Sequence, residues 1–183
     1  HMVEFGHNTL KSVSTDNSRG LGLRVICDGR LGLSSVTDLK AHGRAVEWAL
    51  AAAEFGQRAK FSFPASCQPA AVAVYDQEVA DFSVERAIEM GREAIDVLRS
   101  QRPDLQCAAG IEWTVRRRRI LNSSGFDQRL KTTRFECWVD ALCAEEDGLL
   151  EIDEGESWRS PCTDLAKHAE TILRKLRLAE RSA

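Results

Sequence analysis

From residue 21 the chain alternates, with Leu21, Leu23 and Val25 interleaved with Gly22, Arg24 and Ile26 ahead of the dipeptide Asp28-Gly29. A period of two running into an Asp-Gly turn predicts a β-hairpin, and residues 10–14 read as a short, mixed strand before it. A strict two-residue turn would set Leu31 and Leu33 on the face of Arg24 and Ile26. One additional loop residue would set them beside Leu23 and Val25. The sequence leaves both registers open; the second is preferred because it gathers the leucines on one face.

Beyond Thr37 the period lengthens. Asp38 supplies an N-cap side chain, and Leu39, Val46, Ala49, Leu50 and Ala53 recur at helical spacing until Gly56 offers a stop. Residues 61–69 carry Pro64 and Pro69 and read as a loop, followed by a short apolar run at 71–75. Ser83 then caps a second helix, whose stripe Val84, Ile88, Gly91, Ile95 and Leu98 steps by four and three, as in a helix lying on a sheet.

Two longer strands are predicted next, over 108–121 and 129–144, joined by Asn122-Ser123-Ser124-Gly125, whose side chains and glycine suit a turn. In the later strand Phe135, Cys137, Val139, Ala141 and Cys143 alternate with Arg134, Glu136, Trp138, Asp140 and Leu142, giving one apolar and one mostly polar face. The acidic stretch 145–156 lacks the alternating ligands and central glycine of a calcium-binding EF-hand loop, and reads as a solvated hairpin or linker. A last helix is expected to start near Ser160-Pro161 and to turn Leu165, Ala169, Ile172 and Leu176 inward. Adjacent hairpins with helices between them make the economical class α+β, an antiparallel sheet of hairpins with about three helices packed against it.

Composition mainly excludes alternatives. The 183 residues are 43% hydrophobic and 29% charged, the balance of one folded domain over residues 3–183. A net charge of −3 and a pI near 5.9 give no bulk attraction to nucleic acid or to an anionic membrane, so neither is expected as a partner. Apolar windows such as 39–55 are broken by His42, Arg44 and Glu47 and fall short of the ~20 residues of a membrane-spanning helix. His1-Met2 reads as the remnant of an expression tag, and no secretory leader follows it; a cytoplasmic location is expected.

Few residues offer chemistry. Cys27, Cys67, Cys107, Cys137, Cys143 and Cys162 form no Cys-x-x-Cys pair and read as plain thiols of a reducing compartment. Apart from His1, the histidines are His7, His42 and His168, and all three read as solvated surface residues. None lies in a helical His-Glu-x-x-x-His pattern, which would place two zinc ligands on one face with a base beside them. Gly20-Leu21-Gly22 precedes a strand instead of opening a helix onto phosphate, and Ser34-Ser35 and Ser123-Ser124 have no histidine base nearby in sequence. No catalytic residue, metal ligand or cofactor is therefore assigned, and the chain alone is expected to bind no stoichiometric zinc and to hydrolyse no peptide.

The run Arg116-Arg117-Arg118-Arg119 is the strongest local charge feature, and a strand would place two guanidinium groups on each face. In the plain reading it is a solvated edge paired across strands with Glu136 and Asp140. In the sharper reading it is a cationic wall that grips the carboxylates of a peptide, because guanidinium binds carboxylate bidentately. Trp138 and Leu142 fall on the polar face of their strand, where large apolar groups call for cover by another domain, a subunit or a peptide. Arg116, Arg117, Arg118, Arg119, Trp138 and Leu142 are thus the candidate peptide or interface contacts.

The order of these blocks resembles a known family. The segment Gly20-Leu21-Gly22-Leu23-Arg24-Val25-Ile26-Cys27-Asp28-Gly29-Arg30-Leu31-Gly32, followed by Ser34-Ser35-Val36-Thr37-Asp38-Leu39 opening a helix, is similar to the start of TldD/PmbA proteins. Tyr75-Asp76-Gln77-Glu78-Val79, with Ser83-Val84-Glu85-Arg86-Ala87 entering a helix, and Asn122-Ser123-Ser124-Gly125-Phe126 resemble two later blocks of the same family. The resemblance covers most of residues 10–178 and is to the amino-terminal domain. It implies a family of zinc metallopeptidases, also called modulators of DNA gyrase, working as two-subunit complexes on unfolded or modified peptides, peptide antibiotics included. The family's zinc belongs to a downstream His-Glu-x-x-x-His helix with a later cysteine ligand, and this sequence contains no such helix.

The expectation that follows is a noncatalytic domain of such a complex, forming part of the peptide cleft and of the interface with a partner subunit of the same family or a second copy. The alternative is a standalone peptide-binding or protein-interaction module.

Overall fold

The computed structural model describes residues 1–66, 70–145, 148–162 and 164–180. Cys67, Pro69 and residues 146 and 147 of the acidic stretch lie outside the described residues. Along the chain run β1 (Met2–Gly6), β2 (Thr9–Ser14), β3 (Leu21–Cys27), β4 (Arg30–Val36), a 3-10 turn (Leu39–Ala41), α1 (His42–Glu54), α2 (Gln77–Ala80), α3 (Val84–Gln101), β5 (Gln106–Leu121), β6 (Asp127–Glu145), β7 (Gly148–Trp158) and α4 (Ala166–Glu180). They fall into two compact units, one comprising the described residues of 1–15, 69–119 and 128–183, the other those of 16–68 and 120–127.

The first unit is built on a five-stranded antiparallel sheet in the order β2-β1-β5-β6-β7. One face of it is apolar: Val3 and Phe5 from β1, Cys107, Ala109, Ile111 and Trp113 from β5, and Phe135, Cys137, Val139, Ala141 and Cys143 from β6 are all buried. α3 lays Ala87, Met90, Ala94, Ile95 and Leu98 against this face, and α4 beside it contributes Ala169, Ile172, Leu173 and Leu176. Phe82 stands edge-on to Trp113 and Phe135, with ring centroids 5.4 and 4.8 Å away. Burying each such aliphatic or aromatic side chain contributes about 1.5–3 kcal/mol, which makes this seam the main source of stability in the unit. The hydroxyl of Ser83 caps α3 by accepting from the Arg86 N–H, as its sequence position predicts.

Two features of this unit differ from the sequence reading. β1 lies between β2 and β5, with Val3 paired to Ile111, although the sequence pattern before residue 10 predicts no strand. Of the two readings of the acidic stretch, hairpin or linker, the hairpin is the one the fold forms, and it is half-buried instead of solvated. The stretch becomes β7, antiparallel to β6 over Phe135↔Trp158 to Glu145↔Gly148, because Leu150 and Ile152 alternate with Glu151 and Asp153 and half-bury themselves on the helix side. The apolar run at 71–75 lies in no helix or strand, and Thr133 holds its neighbourhood, donating its N–H to the Val74 carbonyl and accepting from the Asp76 N–H.

The second unit pairs β3 with β4 as a separate two-stranded sheet covered by α1. Its turn is the strict two-residue one: Cys27 pairs with Arg30, and Asp28 and Gly29 take positive φ values of 49° and 72°. That left-handed pair matches the twist of the flanking strands, so it overrides the gathering of leucines. Leu33 consequently lies opposite Arg24 and stays exposed. α1 packs instead on the small residues of β4, with the Ser34 hydroxyl donating to the Ala45 carbonyl at 2.6 Å. Its buried stripe is Ala45, Ala49 and Ala53, not the larger Leu39, Val46 and Leu50, which remain exposed. Among the described residues no helix is long and apolar enough to cross a membrane.

Candidate functional site

Strand alternation sends Glu112, Glu136, Trp138, Asp140, Leu142, Glu151 and Asp153 to the face of the large sheet opposite α3 and α4. Trp138 is half-buried there even without a covering partner. Its indole lies over Gly110 of β5, so closely that a Cβ on Gly110 would come within 2.4 Å of the ring, and its cross-strand neighbour is Gly155. Part of the cover it calls for is thus supplied by the sheet. Leu142, opposite Glu151, is also half-buried. Around Trp138 and Leu142 the face is acidic, carrying Glu112, Asp140, Glu151 and Asp153. Burial and then the neighbouring Glu151 and Asp153 carboxylates push the Asp140 carboxyl up to about 6.

The arginines lie elsewhere. Arg116, Arg117, Arg118 and Arg119 are exposed toward the end of β5, six or more residues beyond Gly110, which is about 20 Å along a strand. Trp138 and the arginines are therefore well separated along the strand pair. The expected cross-strand partners are also engaged elsewhere: Glu136 pairs with Arg134, and Asp140 sits among carboxylates. Arg116, Arg117 and Arg118 make no ion pair with any described residue. Arg117, Arg118 and Arg119 with Arg129, Leu130 and Lys131 line a shallow depression of about 460 Å³. Lys131 is steadied from behind, its Nζ 3.8 Å from the centre of the Tyr75 ring.

On the opposite, helix-covered side the fold assembles a cluster that sequence reading missed. Cys137 on β6 pairs directly with Glu156 on β7, and Cys162, ahead of α4, and His168, within it, close over them. One donor atom from each of the four lies within 4.8 Å of the others. His168 is no solvated surface histidine: its side chain is 20% exposed, and its Nε2 is 3.7 Å from Glu156 Oε1. The other carboxylate oxygen, Oε2, accepts from the Trp158 indole N–H at 2.7 Å. A hydrogen bond shared between the thiols leaves the proton on Cys137, raising its pKa, and lowers that of Cys162. Of the other cysteines, Cys27 is exposed, and Cys107 and Cys143 are buried. The only sequence signal for the cluster was a glutamate on the apolar period of β7.

Two family profiles match the sequence: PmbA/TldA metallopeptidase domain 1 over residues 1–53 and the PmbA/TldA metallopeptidase central domain over residues 77–180. No curated protein matches it. Among solved structures it is similar to TldE from Thermococcus kodakarensis, at 20% identity and a TM-score of 0.81, with 96% of this chain and 41% of that one covered. A proposed modulator of DNA gyrase from Thermotoga maritima gives 15% identity and a TM-score of 0.78, with 94% and 40% covered. A counterpart from Bacteroides thetaiotaomicron gives 18% and 0.65, with 95% and 43% covered. The chain spans about two fifths of the length of these structures. With the central-domain profile matching more than half of it, the chain belongs to the PmbA/TldD metallopeptidase family.

Proposed function

We propose that this chain is a noncatalytic part of a PmbA/TldD-type metallopeptidase complex, forming one wall of the peptide cleft and part of the subunit interface. The observation that carries the reading is the cationic strip at the end of β5 and the start of β6, where Arg116, Arg117 and Arg118 have no acidic partner among the described residues. Guanidinium groups left without carboxylates are suited to take those of an unfolded peptide, and the depression beside Leu130 offers its side chains an apolar floor. The sequence holds no His-Glu-x-x-x-His helix, so the chemistry of peptide cleavage belongs to another part of the complex, where the family's zinc is expected.

The test is a fluorescence-anisotropy titration of a labelled, unfolded acidic peptide with the full chain and with the Arg117→Glu/Arg118→Glu variant. Each charge-assisted hydrogen bond contributes about 1.5–3 kcal/mol, so the double reversal should weaken binding at least about tenfold. Equal affinity of the two proteins, or no binding by either, would remove the strip from the cleft.

A further inference from the structure

We propose that Cys137, Glu156, Cys162 and His168 form a structural zinc site that fastens α4 to the β6–β7 pair. The four residues offer two sulfurs, one imidazole nitrogen and one carboxylate oxygen, a donor set suited to a borderline-soft divalent ion. Zinc bonds of about 2.0–2.3 Å in a tetrahedron require neighbouring donors to stand about 3.3–3.8 Å apart. The donor atoms lie within 4.8 Å of one another, and His168 Nε2 and Glu156 Oε1, at 3.7 Å, are already in that range. Small side-chain rotations complete the geometry.

The surroundings of the four residues support the assignment. Glu156 occupies a position of β7 that faces the helices, in line with Leu150 and Ile152. Glu154 on the same side meets Lys175, but no lysine or arginine among the described residues meets Glu156. A metal ion at the cluster would pair with this half-buried carboxylate, which otherwise meets the Trp158 indole N–H and His168. The Trp158 indole holds Oε2 and leaves Oε1 turned to the cluster, the kind of outer hydrogen bond that orients a ligating carboxylate. Because the four protein donors fill the tetrahedron, no position remains for an activated water, and the site would hold the fold together without hydrolysing anything. Binding displaces the thiol protons of Cys137 and Cys162, which leave to solvent. The proposal replaces the sequence-based expectation of a zinc-free chain and is independent of the cationic strip.

The experiment is a cobalt titration of the full chain, reduced and stripped with a chelator, followed by displacement with zinc. Thiolate-to-cobalt charge-transfer absorption and tetrahedral d–d bands should saturate at about one equivalent and be bleached by zinc. Cys162→Ser should abolish the charge-transfer band or weaken cobalt binding at least about tenfold, while Cys27→Ser, at an exposed thiol, should leave it unchanged. His168→Asn, which keeps the core cysteines, provides a second variant should Cys162→Ser unfold. The proposal is overturned if the reduced chain gives no cobalt spectrum, including the case in which Cys137 and Cys162 prove to be a disulfide pair. A spectrum that survives both substitutions overturns it as well.

Discussion

At Gly110 the missing Cβ decides where an indole lies, since Trp138 occupies the space a side chain would take. Next to it, Asp140 is drawn up to about 6 by burial and by Glu151 and Asp153. Its ordinary value is 3.8, so the folded chain binds this proton more tightly than the unfolded chain does. The carboxylate thus costs nothing below the unfolded value, costs progressively more as pH rises through the window between the two, and costs a constant amount above it. Asp140→Asn is expected to raise the thermal midpoint relative to the parent at pH 8, with the difference shrinking through that window and vanishing near pH 4. Melting curves of both proteins across this range check it; a midpoint lowered at pH 8 would show that the carboxylate is held by a favourable partner instead.

Among the elements, the hairpin and helix of the second unit show how close approach sets stability. A Cβ on Gly32 would stand 1.9 Å from the Ala49 carbonyl oxygen, a clash with backbone that no rotamer relieves. Gly32→Ala should destabilise the β3–β4–α1 packing by about 2–3 kcal/mol, read as an earlier urea midpoint; an unchanged midpoint would mean that α1 does not sit on β4. This contact also explains what was legible. The hairpin signal Asp28-Gly29, the cap at Ser83 and the two-fold alternation of β6 were visible because each is local. The buried face of α1 was not, because β4 offers a glycine and serines, and only alanines fit that near. β7 was obscured because its outward residues are acidic, and its strand character rests on pairing with β6. The Cys137, Glu156, Cys162 and His168 cluster had no sequence spacing to betray it, since it draws on two strands, a loop and a helix.

For the molecule as a whole, the net charge of −3 conceals a division. The open face of the large sheet carries Glu112, Asp140, Glu151 and Asp153, while the ends of β5 and β6 carry the arginines and Lys131. An acidic peptide bound as proposed would be repelled by the first and attracted by the second, toward one end of the strand pair. Trp138 and the arginines stand about 20 Å apart along the strand pair, and the proposed peptide contact is made by the cationic strip. Photo-cross-linking tests this most directly: an unfolded acidic peptide bearing a photoreactive residue is irradiated with the full chain, and the adducts are mapped by mass spectrometry. Adducts are expected to concentrate at residues 116–119 and 129–131; their absence there, or adducts spread along 134–144 on the open face, would rule out peptide binding by the strip.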